Sequence, residues 1–236
     1  MPQISNNQQV HIIDLNSRYH TTNTITTTNV ILVEGRDQIY FFKSIIEKSG
    51  YRDITIINYG GVDQLRGRFP VILKTPGFRE NVKSIGIVRD AETNAESAIQ
   101  SVSSILSLHG FPRTIGVLNP AKRNDGLKAV IFIMPGQGFS GMIEDLCLES
   151  VRDDPAMCCV EAFINCIQNK YLQQELSNGS GFTCRLSKAK LHAFLASREE
   201  PGLKFGEAIS RGYIPLDNSC FNEIKTFMQI VSSVNP

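Results

Sequence analysis

The residues of this chain whose types and spacing suit chemistry are acids: Glu34, the pair Asp90 and Glu92, and the pair Glu144 and Asp145. Hard divalent cations take oxygen ligands, and a Mg²⁺ site usually combines one or two carboxylates with waters and substrate phosphate. In Asp90-Ala91-Glu92 the acids occupy alternate positions, so in extended backbone both point the same way and can reach one ion. Glu34 beside them would hold the metal, polarise a water or act as an acid or base. For any one of these acids taken alone a bland role is the better account, since acids after strands often cap the helix that follows. What favours chemistry is their recurrence at the ends of three predicted strands.

Those strands are read from the hydrophobic pattern. Residues 29–33 are Asn followed by four branched aliphatics, the run expected of a strand buried on both faces. A helical stripe follows over 36–49 (Ile39, Phe42, Ile45, Ile46), closed by Gly50. Residues 53–59 form a second strand ended by Gly60-Gly61, and 62–74 a helix that Pro70 must kink or split. Residues 83–90 form a third strand and 93–108 a helix with Ala98, Val102, Ile105 and Leu108 on one face. Residues 111–125 read as loop with a short strand at 115–118, and 127–134 as a fourth strong strand. Strand and helix alternate as in a parallel sheet with helical crossovers, and ligands of such sheets gather at the carboxyl ends of the strands. After Gly141 the pattern is helical, at 142–151, 154–176, 186–197, 205–211 and 219–234, with breaks at 179–181 and 201–202. The expected organisation is a polar segment over 1–28, with a loose tail to residue 9 and a short strand at 10–15. An α/β core over 29–150 and a helical extension over 151–236, packed on the core or capping it, complete it.

Basic residues are candidates for holding phosphate. Lys188, Lys190 and His192 recur on the 186–197 helix, with Lys188 and His192 on one face. A lysine near a metal would hold a phosphate or stabilise a developing anion, although a solvated helix face explains the three as well. Arg36 beside the first acid, and Arg66 and Arg68 with Lys74 and Arg79, suit nucleic-acid contacts on the same terms. Tyr40 and Phe42 read as edge and core packing. Gly136 to Gly141 spells G-x-G-x-x-G, the dinucleotide fingerprint, but it follows the fourth strand and no acid-terminated strand comes ~20 residues later. It reads instead as a flexible loop that delivers Glu144 and Asp145. No nucleophilic triad or P-loop lysine pattern is present.

Composition narrows the classes. With 236 residues, 42% hydrophobic and 20% charged, the chain has an ordinary globular balance, and no apolar run approaches the ~20 residues of a membrane span. The first nine residues lack the layout of a signal peptide, so a cytoplasmic protein is expected. A net charge of +1 gives no global sign of nucleic-acid binding, which needs only a local basic face. The six cysteines form no C-x-x-C pair and are expected to be buried, reduced thiols.

Val33-Glu34-Gly35-Arg36-Asp37 resembles the E-G signature of TOPRIM domains, the catalytic fold of topoisomerases, bacterial primases and OLD-type nucleases. From about residue 29 to 230 the chain more closely resembles TOPRIM-like proteins of the DUF3226 type, through residues 57–61, 85–92, 141–146, 188–197 and Gly212-Tyr213. The resemblance implies a mostly parallel sheet flanked by helices and phosphoryl-transfer chemistry dependent on Mg²⁺ or Mn²⁺. Glu34 would be the metal ligand or acid/base, and Asp90 and Glu92 the D-x-D pair, with Glu92 one methylene longer than the usual aspartate. Glu144 or Asp145 would be the further acid of nuclease-type members, and Lys188 or Lys190 a transition-state lysine. No topoisomerase-like tyrosine is indicated and a primase would carry template-binding domains, so a nuclease acting on DNA or RNA is the favoured expectation. An ABC-type ATPase partner and anti-phage defence follow by analogy. The alternative is a TOPRIM-like module that binds nucleic acid or regulates without catalysis, and a homodimer is left open.

Overall fold

The computed structural model describes residues 10–16, 24–113, 116–178 and 186–233, with side chains undescribed over 171–178. The expected tail over 1–9, the break at 179–181, Cys184 and the start of the expected short strand at 115 lie outside them.

The apolar runs pair into one sheet, with β1 (His11–Asp14), β2 (Asn29–Val33), β3 (Ile54–Asn58), β4 (Ser84–Asp90), β5 (Ala121–Lys122) and β6 (Lys128–Met134) in the spatial order β1-β3-β2-β4-β6-β5. Every pair is parallel except β5 with β6. β5 falls in the stretch read as loop, and Val117 makes a single parallel bridge to Ile131.

Strand alternation sorts the core into two layers. Ile31, Val33, Val88, Val130 and Phe132 meet one set of helices, while Val30, Leu32, Ile87, Ala129 and Ile131 meet the other. The first set is α1 (Arg36–Ser49), α5 (Ile143–Ser150), α7 (Leu186–Ala196), α8 (Phe205–Ser210) and α9 (Asn222–Ser232), with α6 (Met157–Asn178) packed on α7. The second is α2 (Leu65–Ile72), the single turn α3 (Phe78–Asn81) and α4 (Ala95–Leu108). Both faces are covered, which is why the strands are apolar without alternation. The expected 62–74 helix is a 3₁₀ turn at Val62–Gln64 followed by α2, which ends two residues after Pro70.

The C-terminal helices belong to the same core as the sheet. α9 lies against β2, β4 and β6 and can do so because Gly86 leaves room: a Cβ there would stand 2.5 Å from the Phe227 ring. The buried Lys128 Nζ fastens the far end of α9 by donating to the carbonyls of Ile230 and Ser233, both at 2.5 Å. Of the expected buried thiols, among the described residues only Cys147 is fully buried. Cys158, Cys159 and Cys166 are exposed and Cys220 is half-buried. Among the described residues no helix is long and apolar enough to cross a membrane.

Candidate functional site

From β2 the chain moves through α1 to β3 on one side, then crosses back through α2 and α3 to β4 on the other. Strand order thus reverses between β2 and β4, and at such a switch point a crevice opens beyond the strands' carboxyl ends. Glu34 is the first residue after β2, Asp90 the last of β4, and Glu144 stands on the first turn of α5, soon after β6. These three, with Glu92, Arg36 and Lys188, line one cleft of about 460 Å³.

Glu34 and Asp90 are held by direct bonds. Asp90 donates its backbone N–H to Glu34 Oε2 at 3.2 Å. Gln38, only 2% exposed, accepts the Glu34 backbone N–H at Oε1 (2.9 Å) and donates from Nε2 to Asp90 Oδ1 (3.0 Å). Beneath them the fully buried Tyr59 donates its hydroxyl to the Val88 carbonyl at 3.0 Å. Burial raises the Glu34 pKa, opposed by the Asp90 N–H and the Arg89 charge. Burial, then the charges of Glu34 and Glu144, push Asp90 up to about 8. Burial and Glu34 push the Tyr59 hydroxyl higher still. Surplus negative charge out of water favours the protonated acid.

Lys188 pairs directly with one of these acids. Lys188 Nζ lies 3.1 Å from Oε1 of the buried Glu144 and 3.4 Å from Asp37 Oδ2. Burial works against its charge, but Glu144 and Asp37 outweigh that and its pKa is raised.

Other candidate residues are placed differently from the sequence reading. Extended backbone stops at Asp90, and Glu92 takes a left-handed conformation (φ 53°), with its backbone paired to Gly141. Asp90 and Glu92 are therefore not alternate residues of one strand, and Glu92 is exposed at the cleft mouth. Positive φ in a non-glycine residue costs of the order of 1 kcal/mol or more and is enriched at functional sites. Asp145 accepts the Met142 N–H at 2.7 Å and the Ser187 hydroxyl, which makes it a cap for α5, and it lines a different cleft. Arg68 donates to the Tyr59 carbonyl at 2.9 Å, Lys190 pairs with Glu161 at 2.8 Å, and Arg66 is exposed on α2 outside the acid cleft. His192 lines an adjoining cleft with Arg36 and Lys188. Gly35 is extended (φ −177°) with nothing within 4 Å of a Cβ.

Sequence reading missed Gln38, Asp37 and Tyr59 as parts of this site. Gln38 had a signal: it falls on the helical stripe of Phe42 and Ile45, where a polar residue must find buried partners.

Among the described residues no group of three or more His, Cys, Asp or Glu side chains stands ready as a metal cage. The donor set nevertheless suits a hard cation in kind: it is made of carboxylates, outnumbers its one paired lysine, and holds Asp90 far above the usual carboxylate range.

A family model described as "Protein of unknown function (DUF3226)" matches residues 28–232. Comparison with curated proteins and with solved structures finds no match.

Proposed function

The chain belongs to the DUF3226 family, and from the acid cleft at its switch point we propose that it is a TOPRIM-like hydrolase of phosphodiester bonds in DNA or RNA, dependent on Mg²⁺ or Mn²⁺. The observation that carries this reading is the meeting of Glu34, Asp90 and Glu144 in one cleft, where burial and then the charges of the other two acids push Asp90 up to about 8.

Glu34 and Asp90 would hold the metal, with Glu92 at the mouth. The ion supplies Lewis acidity toward a phosphate oxygen and a water of lowered pKa. Glu34, steadied by the Asp90 N–H, would hold the ion or take the proton of the attacking water. Lys188 would turn from Glu144 toward the phosphoryl oxygens and offset charge developing there. Arg36 and His192, beside the cleft, would contact flanking phosphates. Asp145, occupied in capping α5, is left out of the ligand set. A cytoplasmic setting, an ABC-type ATPase partner and a part in anti-phage defence accompany the resemblance to OLD-type nucleases.

A second reading has its own observation. A protonated Asp90 bonded to Gln38, and a Glu144 neutralised by Lys188, form an acid network satisfied without an ion, as a binding or regulatory module would have. One experiment separates the two. Labelled single-stranded DNA, duplex DNA and tRNA are incubated with wild type and Glu34→Gln in Mg²⁺, Mn²⁺ or EDTA. The nuclease cleaves at least one substrate with metal, and the variant loses about 100-fold or more. Equal traces in every lane reject the nuclease and leave the module.

A further inference from the structure

Arg89, next to Asp90 on β4, has no part in the site as described so far. Tyr59 continues β3, donating its N–H to the Val33 carbonyl at 3.0 Å. The strands pair Val33 with Asn58, Leu32 with Ile87 and Arg89 with Ile133. Carried on by one step, that register sets Tyr59, Glu34, Arg89 and Ile133 in one row across four strands. Side chains two apart on a strand share a face, so the row faces α2 and α4 together with Ile57, Leu32, Ile87 and Ile131. Asp90 takes the other face with Val88, against Gln38 of α1. Arg89 therefore stands beside Glu34 on the face of the sheet opposite to Lys188 and its helix.

The other cations around the cleft are engaged. Arg36 pairs with Asp14, Lys188 with Glu144 and Asp37, and Arg68 donates to the Tyr59 carbonyl. Among the described residues Arg89 makes no ion pair, and its Nε–H is buried with no hydrogen-bond partner. Buried polar groups nearly always have partners, so an orphan beside a cleft calls for a ligand or an ordered water. The residue as a whole is half-buried, so it is not sealed into the core. Its charge is felt along the row, where it opposes the burial that raises Glu34 and Tyr59. Glu34 nevertheless does not close on it, because its carboxylate accepts the N–H of Asp90 at 3.2 Å and that of Val62.

We propose that Arg89 takes an oxygen of the substrate phosphate from the α2 side of the acid cleft. The proposal rests on the phosphodiesterase reading for the substrate, and it names the cation that needs no rearrangement. Lys188 must leave Glu144 to reach a phosphate and Arg36 must leave Asp14, whereas Arg89 has no partner to leave. A guanidinium is always charged and offers paired N–H donors that match phosphate oxygens. Placed there, it would offset negative charge on the reacting group. A purely structural arginine lays its methylenes on the core and keeps its donors in water, which the buried Nε–H does not do.

Arg89→Met keeps most of the length and packing and removes the charge, while Arg89→Lys keeps the charge and loses the paired donors. Hydrolysis of bis(p-nitrophenyl) phosphate, labelled oligothymidylate and labelled oligouridylate is followed in Mn²⁺. Binding of the two oligonucleotides is measured in Ca²⁺ by fluorescence anisotropy. Arg89→Met should weaken binding about tenfold and lower the slope of log affinity against log salt by about 0.7. It should also reduce kcat/KM about 100-fold. Arg89→Lys should recover part of each loss, and both variants should melt near wild type. Binding, salt slope and kcat/KM unchanged in Arg89→Met overturn the proposal, as do equal losses in both variants that follow a fall in melting temperature. Arg89-dependent binding with no hydrolysis in any metal supports the phosphate contact and rejects the nuclease. Hydrolysis abolished by Glu34→Gln but indifferent to Arg89 supports the nuclease and rejects the contact. Wild type that neither binds nor hydrolyses any probe rejects both.

Discussion

Glu34 and Asp90, at the ends of neighbouring strands, are tied into a closed ring: Asp90 N–H donates to Glu34 Oε2 at 3.2 Å, and Gln38 bonds the Glu34 N–H and Asp90 Oδ1. The ring fixes two half-buried acids side by side. Burial first, and then the charges of Glu34 and Glu144, push Asp90 up to about 8, a cost that a divalent cation or a substitution should relieve.

The first consequence is a pH-dependent stability. Asp90 binds its proton more tightly folded than unfolded. Its stabilising contribution is therefore complete below about pH 4 and lost as pH rises through about 8. The raised Glu34 pKa acts in the same direction. Asp90→Asn, which can still accept from Gln38, should melt like wild type near pH 4 and above it near pH 9. The gain should be about 2–4 °C for each kcal/mol relieved. Thermal melts across this range check it, and a difference that does not grow with pH contradicts it.

Gln38 should position rather than react. In Gln38→Glu the new carboxylate can still accept the Glu34 N–H but cannot donate to Asp90, and it adds a third acid to the ring. The variant should lose about 1–3 kcal/mol at pH 8 and recover much of it near pH 5, where the added acid can share a proton. Urea titrations at the two pH values measure this. An equal loss at both would mean that Gln38 only fills space.

The seating of α9 on the sheet gives a prediction independent of the site. Gly86→Ala would drive a Cβ into the Phe227 ring and Val231, and overpacking of this kind costs about 1–3 kcal/mol. Lys128→Met would leave the Ile230 and Ser233 carbonyls without their donor, a loss of similar size. Both should lower the midpoint of denaturant unfolding. Unchanged midpoints would show that α9 is not integral to the core.

What was legible in the sequence follows from what governs each feature. β2, β4 and β6 are buried on both faces, so burial alone writes them as apolar runs and marks Glu34 and Asp90 at the exits of β2 and β4, whereas Glu144 comes well after β6, on α5. Gly50, left-handed at φ 71°, closes α1 as a helix C-cap does. The site's finer roles depend on backbone conformation and distant partners. The left-handed Glu92 follows from its pairing with Gly141, 49 positions later by numbering. Asp145 becomes a cap because α5 begins at Ile143 rather than because of a Ser or Thr cap signature. Lys188 meets Glu144 only because α7 packs on α5, and the two-residue β5 is too short to leave a pattern. Tyr40, read as edge packing, is 45% exposed, with its stem against Gly206 of α8.

The metal claim is tested most directly by the protons that binding releases. Calorimetry of Mn²⁺ or Mg²⁺ binding at pH 7, in buffers of different ionisation enthalpy, counts them. Asp90, protonated at that pH with its value of about 8, must give up its proton to ligate. Wild type should release close to one proton per ion, and Asp90→Asn should release almost none and bind more weakly. No binding, or binding with no proton release that Asp90→Asn leaves unchanged, would contradict a metal held by Glu34 and Asp90.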